Sequence, residues 1–411
     1  MTLRPHDIHN PESLRIADKD ACPACGGGAL APVIVLDEVP ANSCLMLDSA
    51  AEARAFPRGR IALTFCGGCG FIYNRAFDPL LTEYSERYEP TQAYSPTFQK
   101  FHKDLAARLV EGMDLHGKTL VEVGCGQGEF LHLLCKLGGN KGVGFDPCLD
   151  ARRADVVGAR ATNVRLIGDF FSETSMLGVQ ADALLSKMTL EHIPAVGNFA
   201  ALVAQLAKQS PKGLMIFIQI PESERILTDR AFWDVYYEHC NYFTEASLTN
   251  LFAAHGFKVD GITREYEGQY LAIVARYVGG RVPGVPQEEI ARLTRLVETF
   301  RRAFADEIAK WRDVVATRVR AGKTVAIWGS GSKGVSFLTA LGDDARGVDH
   351  VVDINPHRQG KFMVGSGHPI VGPDDLKRLK PDTVIVMNPV YRDEIAEMLA
   401  ARGLSPELLT L

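Results

Sequence analysis

Two pairs of cysteines have the spacing of a metal site. Two residues separate Cys22 from Cys25 and Cys66 from Cys69, and a glycine follows each pair. Four thiolates at this spacing match a tetrahedral structural Zn²⁺ site, which leaves no open coordination position for catalysis. Cysteines paired by accident are the alternative interpretation. We expect residues 1–76 to form a zinc-binding domain.

A glycine-rich turn follows an apolar run in the middle of the chain. Residues 120–131 read Leu-Val-Glu-Val-Gly-Cys-Gly-Gln-Gly-Glu-Phe-Leu, and the apolar pattern then continues with helical spacing. In doubly wound folds, a strand that turns in this way presents a ligand at the carboxyl edge of the sheet. Gly124 and Gly126 let the backbone approach that ligand, and Glu122 can accept a hydrogen bond from an amine or hydroxyl.

Two further acids stand at the ends of the next two predicted strands. Asp146 lies about 20 residues beyond the glycines, where a carboxylate can hold two ribose hydroxyls. Asp169 follows the third strand, where a short acceptor can reach an adenine amine. A single acid of this kind is more often a solvated strand end, but three at successive strand ends favour one shared ligand. Their neighbours complete the predicted cofactor site: Gln127, Pro147, Phe170 and Lys187.

The elements that position these acids alternate between strand and helix. The predicted strands are 119–123, 141–145, 164–167, 181–185, 213–219, 256–262 and 268–277, with helices between the first five. This rhythm predicts a parallel sheet closed by an antiparallel hairpin. We expect an α/β doubly wound domain over residues 118–280. Residues 77–117 would be a connector with a lid helix, in which Tyr84 and Tyr88 are either packing residues or substrate contacts.

Composition limits the class of protein. The chain has 411 residues, a net charge of −5 and a pI near 6.1, and it carries no long basic run. These properties argue against a nucleic-acid or membrane-surface partner. Without an apolar run of about 18 residues or a signal-peptide core, we expect a cytoplasmic protein of two or three domains. Nine cysteines then indicate metal binding or free thiols, and Cys44 is expected to fill apolar space.

A second glycine turn opens the C-terminal part, after a glycine- and proline-rich joint and a long amphipathic helix predicted at 287–320. Gly329, Gly331 and Gly334 fit the dinucleotide-binding pattern, and Asp353 ends the next strand. By motif alone, residues 321–411 would bind NAD, but the later strand supplies no paired acid and base. Nearby polar groups suit a phosphate or sugar, and Asn355 and Arg358 are the substrate candidates; a solvated loop is the alternative.

A phenol, a carboxylate and an imidazole gather after the fifth predicted strand. Residues 236–244 read Tyr-Tyr-Glu-His-Cys-Asn-Tyr-Phe-Thr, which places Tyr236, Glu238 and His239 at the carboxyl end of the sheet. Such a cluster indicates acid–base chemistry. The alternative is a capped turn before the helix that opens at Thr244.

Taken together, these motifs resemble a known family. The turn at 121–128, with Asp146, Asp169 and the Leu-Glu-His-Ile sequence at 190–193, is similar to the class I S-adenosylmethionine-dependent methyltransferase fold. With paired cysteines ahead of that sheet and a Rossmann-like domain behind it, the chain resembles the three-part NDP-deoxysugar C-methyltransferases over nearly its whole length. S-adenosylmethionine and structural Zn²⁺ are therefore the expected cofactors.

The resemblance also implies a reaction. A methyl group would pass from S-adenosylmethionine to a carbon of a nucleotide-linked 4-keto deoxysugar. The family's Tyr-x-Glu-His motif maps onto Tyr236, Glu238 and His239, and His192 falls at a position near the substrate. His239 would remove the proton beside the ketone, and Tyr236 would donate to the forming enolate oxygen. A degenerate C-terminal Rossmann domain would close over a nucleotide-sugar.

The sequence is also compatible with other functions. One is methylation of another small acceptor at oxygen or nitrogen, where positioning with a weaker base suffices. A second is an NAD-dependent oxidoreductase that uses the C-terminal domain. A third, a zinc-ribbon interaction protein, would need a basic face that the sequence lacks. We expect a monomer or a homodimer with a small-molecule substrate.

Overall fold

The computed structural model describes residues 20–83, 85, 87–89, 91–149 and 162–411. Tyr84, a predicted substrate contact, lies outside these residues. In chain order the strands and α-helices are β1 (Leu30–Pro40), α1 (Ala50–Ala55), β2 (Arg58–Cys66), β3 (Ile72–Asn74), α2 (Pro96–Gly112), β4 (Thr119–Val123), α3 (Glu129–Gly138), β5 (Lys141–Phe145), β6 (Val164–Ile167), β7 (Ala183–Lys187), α4 (Val196–Gln209), β8 (Met215–Pro221), α5 (Ser223–Asp229), β9 (Asn241–Tyr242), α6 (Glu245–Ala254), β10 (Phe257–Glu265), β11 (Tyr270–Tyr277), α7 (Gln287–Arg320), β12 (Val325–Trp328), α8 (Ser332–Leu341), β13 (His350–Val352), β14 (Ile370–Val371), α9 (Leu376–Leu379), β15 (Thr383–Val386), α10 (Arg392–Ala400) and β16 (Glu407–Thr410).

The central sheet confirms the predicted doubly wound α/β fold. Its strand order is β10-β11-β8-β7-β4-β5-β6, with β11 antiparallel to both of its neighbours and the other pairs parallel. Because side chains alternate along a strand, Leu120 of β4 packs with α2 and α3 on one face, while Val121 packs with α4 and α6 on the other. Each fully buried leucine contributes about 1.5–3 kcal/mol.

One predicted helix of this sheet is absent. A helix was expected between the third and fourth strands, but within the described residues 168–182 the chain forms turns. The Ser175 hydroxyl bonds the carbonyl oxygen of Phe170 at 2.7 Å, and the Ser172 amide bonds the Ser175 hydroxyl at 2.9 Å. Such local side-chain bonds compete with helical backbone bonds. The segment expected between the second and third strands falls largely on residues 150–161, which are outside the described part.

Two smaller sheets flank the central one. The N-terminal sheet is antiparallel, in the order β1-β2-β3-β9, so its last strand comes from a segment that follows β8 far along the chain. The C-terminal sheet is parallel, in the order β14-β13-β12-β15-β16. The catalytic candidates at 236–239 directly precede β9, and the N-terminal sheet therefore helps to position them.

The long helix α7 packs along the seam between these parts. Its buried residues recur at helical spacing: Ile290, Leu293, Val297, Phe300, Phe304, Trp311 and Val315. They belong to the same apolar cluster as residues of the N-terminal and C-terminal sheets. None of the helices in the described part of the chain has both the length and the apolarity needed to span a membrane.

Candidate active site

A cavity of about 1290 Å³ lies where the three sheets approach one another. Pockets for one small ligand usually measure about 300–1,000 Å³, so this one has room for two. The predicted cofactor residues line it: Glu122, Gly124, Gly126, Gln127, Asp146, Pro147, Asp169, Phe170 and Lys187. So do the described catalytic and substrate candidates: Tyr88, His192, Tyr236, Glu238, His239, Asn355 and Arg358.

The glycine turn after β4 forms one wall of the cavity. Gly124 has φ 72° and Gly126 has φ 56°, conformations that favour glycine. A Cβ on Gly124 would lie 1.9 Å from the hydroxyl oxygen of Thr189. At Gly126 a Cβ would meet nothing within 4 Å, so the backbone there leaves space for a ligand. The Gly126 amide donates to Oδ2 of Asp146 at 2.7 Å, which holds the turn against the end of β5.

The acids at this edge offer acceptors to a ligand. Oδ1 of Asp146 accepts from the Cys148 amide at 2.8 Å, and burial raises the pKa of Asp146. Oε2 of Glu122 is buried without a hydrogen-bond partner among the described residues. Asp169 is exposed, and its Oδ1 accepts from the Phe170 amide at 2.7 Å. Three acceptors beside an open turn fit a ligand that carries an amine, ribose hydroxyls and a base amine.

Lys187 contacts the lid helix as well as the acids. Its Nζ lies 2.8 Å from Nε2 of His102 on α2 and 3.7 Å from the ring centroid of Phe130. Burial lowers the pKa of Lys187, and the carboxylate of Glu122 opposes that shift. Burial lowers the pKa of His102 to about 3, so its neutral ring accepts from the ammonium. A direct cofactor contact by Lys187 stays a prediction.

The catalytic candidates form a compact group before β9. The Tyr236 hydroxyl lies 2.9 Å from Nε2 of His239. Nδ1 of His192 lies 2.9 Å from the backbone oxygen of Glu238, to which it donates, and the rings of His192 and His239 are 4.8 Å apart. Burial lowers the pKa of His192 to about 4 and that of His239 well below its usual range. Both rings are therefore neutral near pH 7, as a base must be before it acts.

Glu238 is held by residues that sequence reasoning missed. Its carboxylate accepts from Nδ2 of Asn42 at 3.1 Å and from the hydroxyl of Ser43. Ser43 also lies 2.7 Å, oxygen to oxygen, from Ser332 at the start of α8. Burial raises the pKa of Glu238 to about 7. The Glu238 carboxylate and Ser43 therefore connect the N-terminal part of the chain with the segment at 236–239 and with the C-terminal part.

The acid of the second glycine motif, Asp353, is bound by other residues of the protein. Oδ2 of Asp353 accepts from the Ser330 amide at 3.0 Å, and Nη1 of Arg358 lies 3.8 Å from that oxygen. Arg358 also donates to the Ser330 hydroxyl at 3.1 Å and to the backbone oxygen of Glu89. The buried Nδ2 of Asn355 has no partner within the described chain. Asp353 is thus occupied by protein groups, whereas in a dinucleotide site the equivalent acid holds a ribose.

Cys44 differs from its expected role as apolar filler. Its Sγ lies 3.6 Å from the Ser332 hydroxyl, and the residue lines the cavity beside Arg358. No spacing signal could have shown this, because the contact joins segments far apart in the chain.

The four thiols predicted to bind metal do come together. The Sγ atoms of Cys22 and Cys69 lie 3.7 Å apart, as do those of Cys25 and Cys66, and all four fall within 4.8 Å of one another. A tetrahedron with Zn–S bonds of about 2.3 Å needs sulfurs about 3.8 Å apart. The Gly27 amide also lies 3.4 Å from Sγ of Cys25. The geometry is compatible with a structural zinc ion.

Comparisons with known proteins identify the family of the chain. A methyltransferase-domain family model matches residues 97–262, and a model described as the C-methyltransferase C-terminal domain matches residues 275–403. Over 394 residues the chain is 27% identical to the C-methyltransferase NovU of Streptomyces niveus, with 92% of this chain and 91% of the relative covered. The chain is a class I S-adenosylmethionine-dependent methyltransferase.

Solved structures of methyltransferases are also similar to part of the chain. For 1,6-didemethyltoxoflavin-N1-methyltransferase from Burkholderia thailandensis, identity is 20%, coverage is 45% of this chain and 82% of that one, and the TM-score is 0.36. For the magnesium protoporphyrin IX methyltransferase from Synechocystis PCC 6803, identity is 16%, coverage is 44% of this chain and 84% of that one, and the TM-score is 0.35. These TM-scores are too low to support a conclusion about fold or function.

Replacing Asp146 by alanine should weaken binding of S-adenosylmethionine to the methyltransferase by about 10- to 100-fold, the value of one or two hydrogen bonds to a charged group. Isothermal titration calorimetry measures this directly. Asp182→Ala is the matched control, because Asp182 also accepts from a backbone amide, that of Thr119 at 2.9 Å, but at the opposite edge of the sheet. Equal loss of affinity in both variants would contradict a role for Asp146 in the cofactor site.

Sequence reasoning also missed a buried ion-pair group in the methyltransferase. Lys333 of α8 pairs with Asp234, which pairs in turn with Arg225 of α5 at 2.5 Å, and all three line the cavity. Lys333 lies inside the second glycine motif, so the sequence could have indicated that it borders a ligand site. The sequence could not have indicated its ion-pair partners, because Asp234 follows a strand of a different sheet.

Proposed function

We propose that this methyltransferase transfers the methyl group to carbon, on a nucleotide-linked 4-keto deoxysugar, through an enolate. The observation that carries the proposal is the 2.9 Å contact between the Tyr236 hydroxyl and Nε2 of His239 inside the shared cavity. Methyl transfer to oxygen or nitrogen often needs only positioning, whereas a carbon nucleophile needs a base and a donor to its enolate oxygen. The name of the Streptomyces relative and the matching C-terminal family model support carbon as the acceptor.

His239 and Tyr236 divide the proton chemistry. The neutral imidazole of His239 removes the proton from the carbon beside the ketone, and the electron pair of that C–H bond passes into the enolate. Tyr236 donates its O–H to the enolate oxygen, while its oxygen accepts from Nε2–H of His239. When bound, S-adenosylmethionine would supply an electrophilic methyl group to the carbon that His239 has activated. Glu238 and His192 orient the imidazole of His239, since His192 donates to the backbone oxygen of Glu238, the residue before it.

The methyl donor would be held at the first glycine turn. Gly124, Gly126 and Gln127 would surround it, with Glu122, Asp146 and Asp169 as acceptors for its amine, ribose and adenine groups. Pro147, Phe170 and Lys187 would complete the contact.

The second glycine turn would hold the nucleotide of the acceptor. Arg358 is buried and cationic, and the unpartnered Nδ2 of Asn355 offers a donor at the same wall of the cavity. Such donors suit phosphate and sugar oxygens. Tyr88 also lines the cavity, and the amide of the next residue, Glu89, donates to the Cys44 oxygen at 2.8 Å. The cavity has the volume for both ligands.

The four-thiol cluster would hold structural Zn²⁺, because its sulfurs have tetrahedral spacing. We propose a zinc-binding domain over residues 1–76, a connector at 77–117, the methyltransferase domain at 118–280, the linking helix at 287–320 and a Rossmann-like domain at 321–411. A cytoplasmic location and a monomeric or homodimeric assembly stay predictions.

The test uses S-adenosylmethionine carrying a ¹³C-labelled methyl group and a panel of nucleotide-linked 4-ketosugars. We expect product NMR to show the label bonded to a ring carbon beside the ketone. A label on oxygen or nitrogen would favour the other methylation chemistries. No product across the panel would contradict a nucleotide-linked ketosugar as the acceptor. Free sugars without the nucleotide serve as controls and should react poorly.

A further inference from the structure

Glu191 is a buried acid to which the chemistry so far gives no role. It lies in a 3-10 helix at Leu190–His192, is 1% exposed and lines the cavity. Neither of its carboxyl oxygens has a hydrogen-bond partner in the part of the chain that the structure describes. Burial of an unpaired carboxylate costs several kcal/mol, so a side chain of this kind is usually retained for a task at the site it faces.

The basic atom that Glu191 faces belongs to His239. Oε1 of Glu191 lies 3.9 Å from Nε2 of that ring, within the distance of an ion pair. The Tyr236 hydroxyl lies 2.9 Å from the same nitrogen. In the tautomer that the proposed function assigns to His239, Nε2–H is directed at these two oxygens, and Nδ1 is the ring nitrogen that accepts a proton.

The surroundings of His239 explain why a counter-charge is needed. The ring is 6% exposed, and burial lowers its pKa well below the usual range. Lys333 and His192 lower it further. A buried imidazolium would therefore form slowly unless an opposite charge lay close to it.

We propose that Glu191 is the counter-charge of His239, and that its carboxylate stabilises the imidazolium formed when the ring takes a proton from the acceptor carbon. The inference rests on the proposed function, in which His239 is the base. The C–H bond breaks, its electron pair enters the enolate, and the proton forms a new bond to Nδ1 of His239. Glu191 forms no covalent bond in this step. It acts through His239 and is a positioning residue.

The proposal makes the reaction depend on pH. Burial raises the pKa of Glu191 to about 8. A raised acid pKa means that the counter-charge is largely missing below that pH and present above it, so the rate should rise through about pH 8. The titratable and charged groups around the pair are His192, Asp234, Tyr236, Glu238, Cys240, Tyr242, Tyr270 and Lys333. Glu191 and Glu238 both titrate in the assay range, since burial raises the pKa of Glu238 to about 7, and loss of the rise in Glu191→Gln assigns the profile to Glu191.

The test compares Glu191→Gln with the wild type by exchange of solvent deuterium at the acceptor carbon, without methyl donor. We expect the variant to exchange about 100-fold more slowly and to lose the rise through about pH 8. Glu191→Asp keeps the charge and should keep the pH dependence at an intermediate rate. Melting temperature and affinity for S-adenosylmethionine should match the wild type. A wild-type rate and profile in Glu191→Gln would overturn the proposal.

Glu222→Gln is the matched control, because it removes another buried carboxylate that lies outside the cavity lining and caps α5 through the Glu224 amide at 2.9 Å. Its exchange rate and pH profile should equal those of the wild type.

A second measurement of the pairing between Glu191 and His239 needs no substrate. In ¹⁵N-histidine NMR spectra, the ring resonances of His239 should shift as the pH passes through about 8 in the wild type, because Glu191 ionises beside the ring, and Glu191→Gln should lack this step. The same step in Glu191→Gln would overturn the pairing. Loss of the step in the variant, with no exchange on any ketosugar by the wild type, would instead contradict the proposed function alone.

Discussion

Replacing His239 by alanine should abolish methyl transfer while leaving affinity for S-adenosylmethionine nearly intact. A general base contributes about 10²- to 10⁴-fold to a rate, and a carbon acid beside a ketone has no fast route without one. The ring contacts Tyr236 and lies near Glu191, where the acceptor would bind under the proposed function, whereas the donor would lie against the glycine turn after β4. Single-turnover transfer from labelled donor, with calorimetry of donor binding, measures both quantities.

The control for this variant is His255→Ala. His255 ends α6, bonds the Leu251 oxygen through Nδ1 at 2.8 Å and does not line the cavity. It should keep wild-type turnover. Near-normal turnover of His239→Ala on the true acceptor would rule out His239 as the base, and a parallel loss of donor affinity would indicate a general disturbance of the site.

Removal of the proposed zinc ion should cost both stability and activity. Structural zinc contributes about 10–16 kcal/mol of apparent binding free energy in small zinc domains, so Cys66→Ser should lower the melting temperature by on the order of 10 °C. Activity should fall with it, because β9 pairs with β3 and the Asn74 amide bonds the Cys240 oxygen at 2.7 Å. The candidate catalytic segment at 236–239 is thus anchored on the same sheet whose strand β2 ends at Cys66.

Metal analysis of the purified protein should find one zinc ion per chain, and about none in Cys66→Ser. Cys135→Ser is the matched control, because Cys135 is a buried thiol of α3 outside the four-thiol cluster. It should keep its zinc and most of its activity. Full stability and activity after complete removal of zinc by a chelator would contradict a structural metal.

Local patterns in the sequence were enough for the glycine turns, the acids at strand ends and the thiol pairs. The predicted strands at 119–123, 141–145 and 164–167 coincide with β4, β5 and β6, because β-branched and apolar runs between turns are short-range signals. The strand predicted at 181–185 begins two residues early, since β7 is Ala183–Lys187. Boundaries depend on pairing with neighbouring strands, which no local pattern encodes.

The rest of the site could not be predicted, because it depends on contacts between distant segments. Asn42 and Ser43 reach Glu238 across the N-terminal loop, and their own neighbourhood is apolar and without a motif. Glu191 was visible as part of a common methyltransferase sequence, but its distance from His239 depends on how the loop after β7 meets the segment before β9. Only the assembled fold brings such groups into one cavity.

The most direct measurement of the central claim is exchange of solvent deuterium into a nucleotide-linked 4-ketosugar, without methyl donor. We expect wild-type protein to exchange the hydrogen on the carbon beside the ketone, and His239→Ala to show no exchange above background. That pair of results would demonstrate enolate formation by the proposed base. Methylation of the same ketosugar at carbon without any exchange, or equal exchange in both proteins, would contradict it.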